Sequence, residues 1–146
     1  MAAQVRAAGI EPEQAKRLAA EAIAIALRAS RDSTAQWMLS PHTHAASEAR
    51  WAGVVDGAVH AVQVDRVFRA GRQPGSEGDE AWWIIDYKTA HDGELDPEIA
   101  LPELRKLFAP QLAAYARILR GLHGEDATVQ AGLYYPRMQK FDWWEI

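Results

Sequence analysis

The sequence predicts an α/β fold in which helices flank a mixed β-sheet. Three observations predict this fold. Residues 1–39 carry helix-type patterns of small apolar residues, residues 47–89 contain strand-like runs separated by turn signals, and a long helix-type stretch precedes a further strand near residue 129. Strands joined by short connections pair antiparallel, whereas a helix between two strands makes a crossover connection. The sheet should therefore contain both kinds of pairing.

Composition indicates one domain spanning residues 1–146, because 49% of the residues are hydrophobic and 25% are charged. Without cysteine, the chain has no disulfide, thiolate zinc site or cysteine-held iron–sulfur cluster. The net charge of −4 argues against a uniformly basic surface for nucleic acid but leaves room for local patches. No apolar run approaches membrane-spanning length, and no signal peptide is recognisable. We expect a cytoplasmic protein that does not bind membranes.

The N-terminal part should be helical and should carry no chemistry. Residues 1–8 favour a helix, a second helix should begin at Pro12, and Ser33 should cap a short helix through Leu39 that a Ser-Pro pair then stops. His42 and His44 follow in a polar loop. We interpret them as solvated side chains and not as metal ligands.

The sheet should begin with a meander of three strands. Residues 47–55 and 58–69 are strand-like, and an Asp-Gly pair at residues 56 and 57 is a strong hairpin signal. The central strand is the apolar run of residues 82–89. Asp65 stands out because an acid lies there between valines of the second strand. The meander would place Asp65 beside the third strand.

The remaining chain should complete the sheet through a crossover helix. Residues 90–101 are acidic and lack a period, which predicts a surface excursion. Residues 102–108 should start helically, and Pro110 should begin the longer helix. Residues 129–135 predict a strand, and the segment 137–146 should hold a short terminal strand.

Asp86 and Lys88 are the main candidates for chemistry. Alternate residues of a strand share a face, so these side chains should point the same way, roughly 6.6 Å apart along the strand. Two acids on neighbouring strands, Asp65 and Asp86, suit a hard cation such as magnesium, and a nearby lysine suits a phosphodiester. The alternatives are a salt bridge at a strand end or a buried ion network of all three residues. The second acid favours the metal, because one lysine rarely needs two acids.

Four short motifs in one order resemble a known family. They are Val64-Asp65-Arg66-Val67, Ile85-Asp86-Tyr87-Lys88-Thr89, Gln111-Leu112-Ala113-Ala114-Tyr115 and Leu133-Tyr134-Tyr135-Pro136. Together they resemble the PD-(D/E)xK superfamily, and within it the RecB-like nuclease domain at the C-terminus of UvrD-type helicase-nucleases such as exodeoxyribonuclease V beta and AddA. The resemblance covers residues 47–136 as the catalytic core, and it implies a restriction-endonuclease-like αβββαβ core.

The resemblance implies a metal site with a catalytic lysine. Asp65 and Asp86 would bind Mg²⁺, for which Mn²⁺ can substitute, and the backbone carbonyl of Tyr87 would add a ligand. Lys88 would be the catalytic lysine. Glu48 matches an acid of the first strand that binds metal through water, although an exposed strand acid is the alternative interpretation.

The resemblance also implies contacts with DNA. Gln111 and Tyr115 match a QxxxY motif that positions the active site and the DNA backbone. Arg66 follows the first aspartate, where it would serve either as a structural pair or as a phosphate contact. We also place Arg117 near the cleft as a DNA contact.

The sequence departs from the family pattern at three points. Val62 replaces a usual glycine and Phe108 replaces a usual aromatic hydroxyl. The family also carries a histidine or glutamate on its first helix, and no residue before Glu11 matches it. We therefore expect a C-terminal fragment of a larger helicase-nuclease whose remaining ligand lies upstream.

The expected function is Mg²⁺-dependent DNA cleavage, exonucleolytic on single strands, in recombinational DNA repair. The partners would be DNA, helicase domains of the same polypeptide and a second helicase-nuclease subunit. The sequence contains no GxxxxGK[ST] loop, so ATP would bind elsewhere in that polypeptide. The alternative is an inactive DNA-binding or docking domain that retains the nuclease fold.

Overall fold

A computed structural model describes residues 11–89 and 96–146. The helix expected over residues 1–8 and part of the excursion expected over residues 90–101 lie outside the described residues. In the described part of the chain, no helix is both long and apolar enough to cross a bilayer.

The sheet is mixed, as the sequence predicts. Its strands are β1 (Thr43–Val55), β2 (Ala58–Ala70), β3 (Ala81–Tyr87), β4 (Val129–Tyr135) and β5 (Lys140–Glu145), and they lie side by side in that order. Strands β1, β2 and β3 form the predicted antiparallel meander, and β5 is antiparallel to β4. The pairing of β3 with β4 is parallel. The predicted α/β class with a mixed sheet is therefore confirmed.

The hairpin between β1 and β2 turns at the predicted Asp-Gly pair. Asp56 has φ of 50° and Gly57 has φ of 79°. Two successive positive φ values are the signature of a type I′ turn, whose twist matches that of the flanking strands. The hairpin is longer than predicted, because β1 begins at Thr43.

Helices cover both faces of the sheet. They are α1 (Pro12–Ala29), α2 (Ser33–Leu39) and α3 (Pro97–His123). Trp82 and Ile84 belong to a buried cluster that includes the apolar stripe of α3, whereas Trp83 and Ile85 belong to a second cluster that includes α2. This alternation along β3 defines the two faces, which we call the α3 face and the α2 face.

The prediction that residues 97–101 form a surface excursion is wrong, and so is the prediction of two separate helices after it. A single helix runs from Pro97 to His123 with Pro102 and Pro110 inside it. Prolines in a helix interior remove hydrogen bonds and usually end the helix. Here Ala100 and Leu104, on either side of Pro102, are buried against the sheet, and that burial outweighs the local cost.

The cap of α2 is Asp32 and not Ser33 as predicted. The backbone N–H of Thr34 donates to Asp32 Oδ1 at 3.0 Å. The other oxygen, Oδ2, accepts from the hydroxyl of Tyr134 at 2.6 Å. Burial and this bond raise the pKa of Tyr134. The Asp32 carboxylate thus caps the N-terminus of α2 and also connects this helix to β4 by a hydrogen bond.

Candidate active site

The site lies where β2 and β3 separate. Their last pair is Arg66 with Ile85, and the next position of that register sets Asp65 opposite Asp86. Beyond that point, the backbone N–H of Tyr87 donates to Asp65 Oδ2 at 2.8 Å. The two predicted carboxylates are therefore neighbours, as the meander implied.

Asp86 and Lys88 share one face of the sheet, as predicted from their spacing. Lys88 Nζ lies 2.5 Å from Asp86 Oδ2, and the side chains are only 16% and 7% exposed. The same ammonium donates to Gln111 Oε1 on α3 at 3.3 Å. This face is therefore the α3 face.

Helix α3 closes the site with three side chains. Gln111 Nε2 donates to the hydroxyl of Tyr115 at 2.7 Å, one helical turn further on. The ring of Phe108 lies on the other side of Gln111, with its centroid 3.9 Å from Lys88 Nζ. From the sequence alone, Phe108 is recognisable only as a departure from the family pattern. Its spacing of three residues from Gln111 sets both on one side of α3, and the packing of α3 against β3 then places the ring beside Lys88.

The site carries more negative charge than its lysine compensates. The pKa of Asp86 is raised to about 6: burial raises it most, the contact with Lys88 opposes this rise, and the nearby Asp65 adds to it. Burial, followed by the charge of Asp86, also raises the pKa of Tyr115. Two carboxylates that face one ammonium would be stabilised by a further cation.

The donor set fits a hard divalent cation. Asp86 Oδ2 is buried and has no hydrogen-bond donor of good geometry among the residues that the structure describes, although Lys88 lies beside it as an ion pair. In an extended strand the N–H and C=O of one residue point to the same side. The carbonyl of Tyr87 therefore faces the same edge as its N–H, where Asp65 lies. Two carboxylates and a carbonyl are ligands that magnesium accepts, with water in the remaining positions.

Glu48 does not complete a shell of three acids. The flanking pairs, Ser47 with Arg66 and Ala49 with Val64, set Glu48 across from Asp65, but the side chain is exposed. In the described part of the chain, no group of three or more histidines and acids is arranged to hold a metal. Glu48 has φ of 52°, which is uncommon outside glycine. The backbone irregularity thus lies beside the site, where such strain is often found.

Arg66 faces away from the carboxylates. Its guanidinium is buried and donates to the carbonyls of Met38 and Ser40 at 3.0 and 2.8 Å, and to Ser47 Oγ at 3.1 Å. It therefore joins the end of α2 to β1 and β2. These contacts favour the structural interpretation of Arg66 over the phosphate contact.

Two other groups lie apart from the carboxylates. Arg117 Nη1 lies 2.7 Å from Asp56 Oδ1 in the hairpin turn, and both side chains are largely exposed.

His42 is not solvated as predicted: its ring stacks on Phe68 with centroids 4.4 Å apart, and Nε2 lies 2.5 Å from the carbonyl of Trp37. His42 is thus a packing group.

A cavity of about 510 Å³ lies behind the site, beneath α1. Its lining is mostly apolar and includes Tyr87, which lies between Asp86 and Lys88 in the chain. The charged groups in the lining are Glu21 and Arg137, which pair with each other at 2.8 Å. The cavity therefore offers no acid–lysine arrangement comparable with the one on the α3 face.

Comparison with protein-family models and with curated proteins found no match for this chain.

Proposed function

We propose that this chain is a metal-dependent DNA nuclease that hydrolyses phosphodiester bonds, exonucleolytically on single strands. The observation that carries the proposal is the meeting of Asp65, Asp86 and Lys88 in one partly buried site with surplus negative charge. A carboxylate whose pKa is raised to about 6 by burial, beside charged partners, is typical of functional sites. A site that binds a cation accounts for that surplus.

The motifs that resemble RecB-like nucleases converge on this site. Asp65 comes from β2, Asp86 and Lys88 from the end of β3, and Gln111 and Tyr115 from α3. Hydrogen bonds and an ion pair connect the last four of these side chains in one series. Residues distant in sequence thus form one connected group, which supports a common task.

Asp65, Asp86 and the carbonyl of Tyr87 would hold Mg²⁺ or Mn²⁺. When bound, the ion would supply charge neutralisation at the phosphate and a water of lowered pKa. Lys88 would place its ammonium beside the reacting phosphate and stabilise the charge that develops on its oxygens. Gln111 orients Lys88 through its amide oxygen, and Tyr115 holds the opposite end of that amide.

The proposed setting is recombinational DNA repair in the cytoplasm, within an ATP-dependent helicase-nuclease. Helicase domains of the same polypeptide and a second helicase-nuclease subunit would deliver single-stranded DNA to the site. The motif resemblance supports this setting, and the lack of a GxxxxGK[ST] loop in the sequence agrees with ATP binding outside this chain.

A specific observation favours a second candidate, a catalytically inactive DNA-binding or docking domain. Lys88 pairs with Asp86 at 2.5 Å, so part of the site charge is compensated within the fold itself. A domain that had lost catalysis would retain such a pair as a structural ion bridge.

Cleavage of end-labelled single-stranded DNA, with Mg²⁺, Mn²⁺ or a chelator, tests the two candidates. The nuclease proposal expects metal-dependent release of labelled products that Asp86→Asn abolishes. Glu103→Gln is a matched control, because Glu103 is an exposed acid paired with Lys106 on the surface of α3. DNA binding without cleavage in either metal would reject the nuclease and support the inactive domain.

A further inference from the structure

We propose that Phe108 is the positioning residue that keeps the Lys88 ammonium at the site when a metal occupies Asp86. The inference rests on the proposed nuclease function and adds to it a residue whose aromatic face, and not a hydrogen bond, directs the lysine. The observation behind it is the position of Lys88 Nζ, 3.9 Å from the centroid of the Phe108 ring.

The contact has the geometry of a cation–π interaction. A cation within about 6 Å of a ring centroid is attracted by the negative face of the ring. Phe108 is half-buried and packs against the cluster beneath α3, so its ring is held in place from behind. Lys88 is also largely shielded from water, with 16% of its side chain exposed. Partial desolvation strengthens such a contact, because water competes less for the cation.

Metal binding would change the balance of forces on Lys88. In the structure, the ammonium lies beside Asp86 Oδ2, which is also a proposed metal ligand. A divalent cation on that oxygen would compete for its charge and repel the ammonium. Among the residues that the structure describes, the partners then left to Lys88 are the neutral oxygen of Gln111 and the face of Phe108. Phe108 should therefore matter most in the metal-loaded state.

An aromatic face suits this task better than a carboxylate would. It attracts the ammonium without offering an oxygen to the metal, so it does not compete for the ion. It also leaves the N–H groups of the ammonium free to donate to Gln111 and to a phosphate oxygen. Lys88 can thus give up its bond to Asp86 without leaving the site.

Single-turnover cleavage at saturating Mg²⁺ tests the role. Phe108→Leu keeps apolar volume but removes the ring face. We expect the single-turnover cleavage rate to fall about 3- to 30-fold, while the concentration that gives the half-maximal rate stays unchanged. Phe108→Tyr and Phe108→Trp keep a ring face and should restore most of the rate. Leu107→Ala is the matched control, because Leu107 is the adjacent residue of α3 and is 65% exposed. Cleavage by Phe108→Leu at the wild-type rate would overturn the inference.

An NMR measurement tests the contact independently of cleavage. The ring should shift the ε-methylene protons of Lys88 upfield, and they should return to ordinary values in Phe108→Leu, with and without Mg²⁺. If wild-type protein does not cut DNA but this shift is present and lost in the variant, the nuclease proposal fails while the positioning contact stands. If the Lys88 shifts are the same in both proteins, the positioning inference fails whatever the activity. Thermal unfolding confirms that each variant is folded.

Discussion

Asp65 Oδ2 accepts a hydrogen bond of 2.8 Å from the backbone N–H of Tyr87. The Asp65 carboxylate thus accepts the hydrogen bond that a backbone carbonyl of β2 would accept if the pairing of β2 with β3 continued. The bond fixes Asp65 to the residue between Asp86 and Lys88, so the two acids and the lysine are held by one short stretch of backbone. Burial first, and the nearby Asp65 after it, raise the pKa of Asp86. The two acids and the lysine therefore come together at the point where β2 and β3 stop pairing.

Asp65→Asn separates the structural task of this residue from its charge. Asparagine keeps an oxygen for the N–H of Tyr87 but loses the negative charge. We expect a melting temperature close to that of the wild type, at least tenfold weaker Mn²⁺ binding in titration calorimetry, and loss of cleavage. Asp65→Ala should also lose about 1 kcal/mol of stability, because the N–H is left unpaired. Equal stability of the two variants would contradict the role of the hydrogen bond.

The raised pKa of Asp86 predicts a pH dependence of stability. Its pKa of about 6 in the folded protein lies above the ordinary value of 3.8, so the folded state binds the proton more tightly than the unfolded chain. The stabilising contribution of protonated Asp86 is therefore complete below about pH 4 and is lost as the pH rises through about 6. Asp86→Asn cannot ionise and should not show this loss.

Urea unfolding of both proteins at pH 4 and pH 7.5 measures the effect in the absence of metal. The stability of the wild type relative to Asp86→Asn should decrease between the two pH values. Added Mg²⁺ should oppose the decrease at pH 7.5, because it stabilises the ionised carboxylate. A constant difference would show that Asp86 has an ordinary pKa.

Much of the sheet could be predicted because its signals are local. The Asp-Gly turn set the register of the hairpin, and the bounds of β4 follow from an apolar run that Pro136 ends. Asp65 and Asp86 could be paired because consecutive strands of a meander are neighbours. The extent of α3 could not be predicted, because it depends on the burial of Ala100 and Leu104 against distant strands. Such packing outweighs what prolines indicate locally.

The parts of the site that could not be predicted depend on groups with no sequence signature. Arg66 bonds to backbone carbonyls of residues 38 and 40, and any residue type supplies a carbonyl. Glu48 matches a family acid, yet its positive φ and exposure follow from the local course of β1. The contact of Phe108 with Lys88 requires the angle at which α3 crosses β3. Residue type and spacing alone contain none of these.

Lys88→Met should separate catalysis from metal binding. Methionine keeps most of the unbranched stem but removes the ammonium that lies on Asp86 Oδ2. We expect single-turnover cleavage to fall on the order of 10²-fold or more, since a charged transition-state contact is lost. Mn²⁺ affinity should rise at pH 8, because no ammonium competes for the carboxylate. Calorimetry that finds weaker Mn²⁺ binding would mean that Lys88 supports the metal site instead.

Arg66→Gln should be strongly destabilising. The buried guanidinium makes three hydrogen bonds, two of them to carbonyls near the end of α2. A shorter neutral side chain would leave these acceptors unpaired, and each buried unpaired acceptor costs about 1–3 kcal/mol. We expect a loss of roughly 2–4 kcal/mol in urea unfolding.

Arg117→Gln is the matched control for this change, because it alters the same residue type in an exposed pair with Asp56. Exposed pairs contribute about 0–1 kcal/mol, so stability should change little.

The variants Arg66→Gln and Arg117→Gln also test the DNA contacts predicted from the sequence. Each lost phosphate contact should make the slope of log affinity against log salt shallower by about 0.7 for single-stranded DNA. The guanidinium of Arg66 already donates to the end of α2 and to β1. Arg66→Gln should therefore leave the salt dependence of DNA affinity unchanged at temperatures where the variant is folded. A shallower slope for that variant would instead place Arg66 at the DNA backbone and refute its purely structural role.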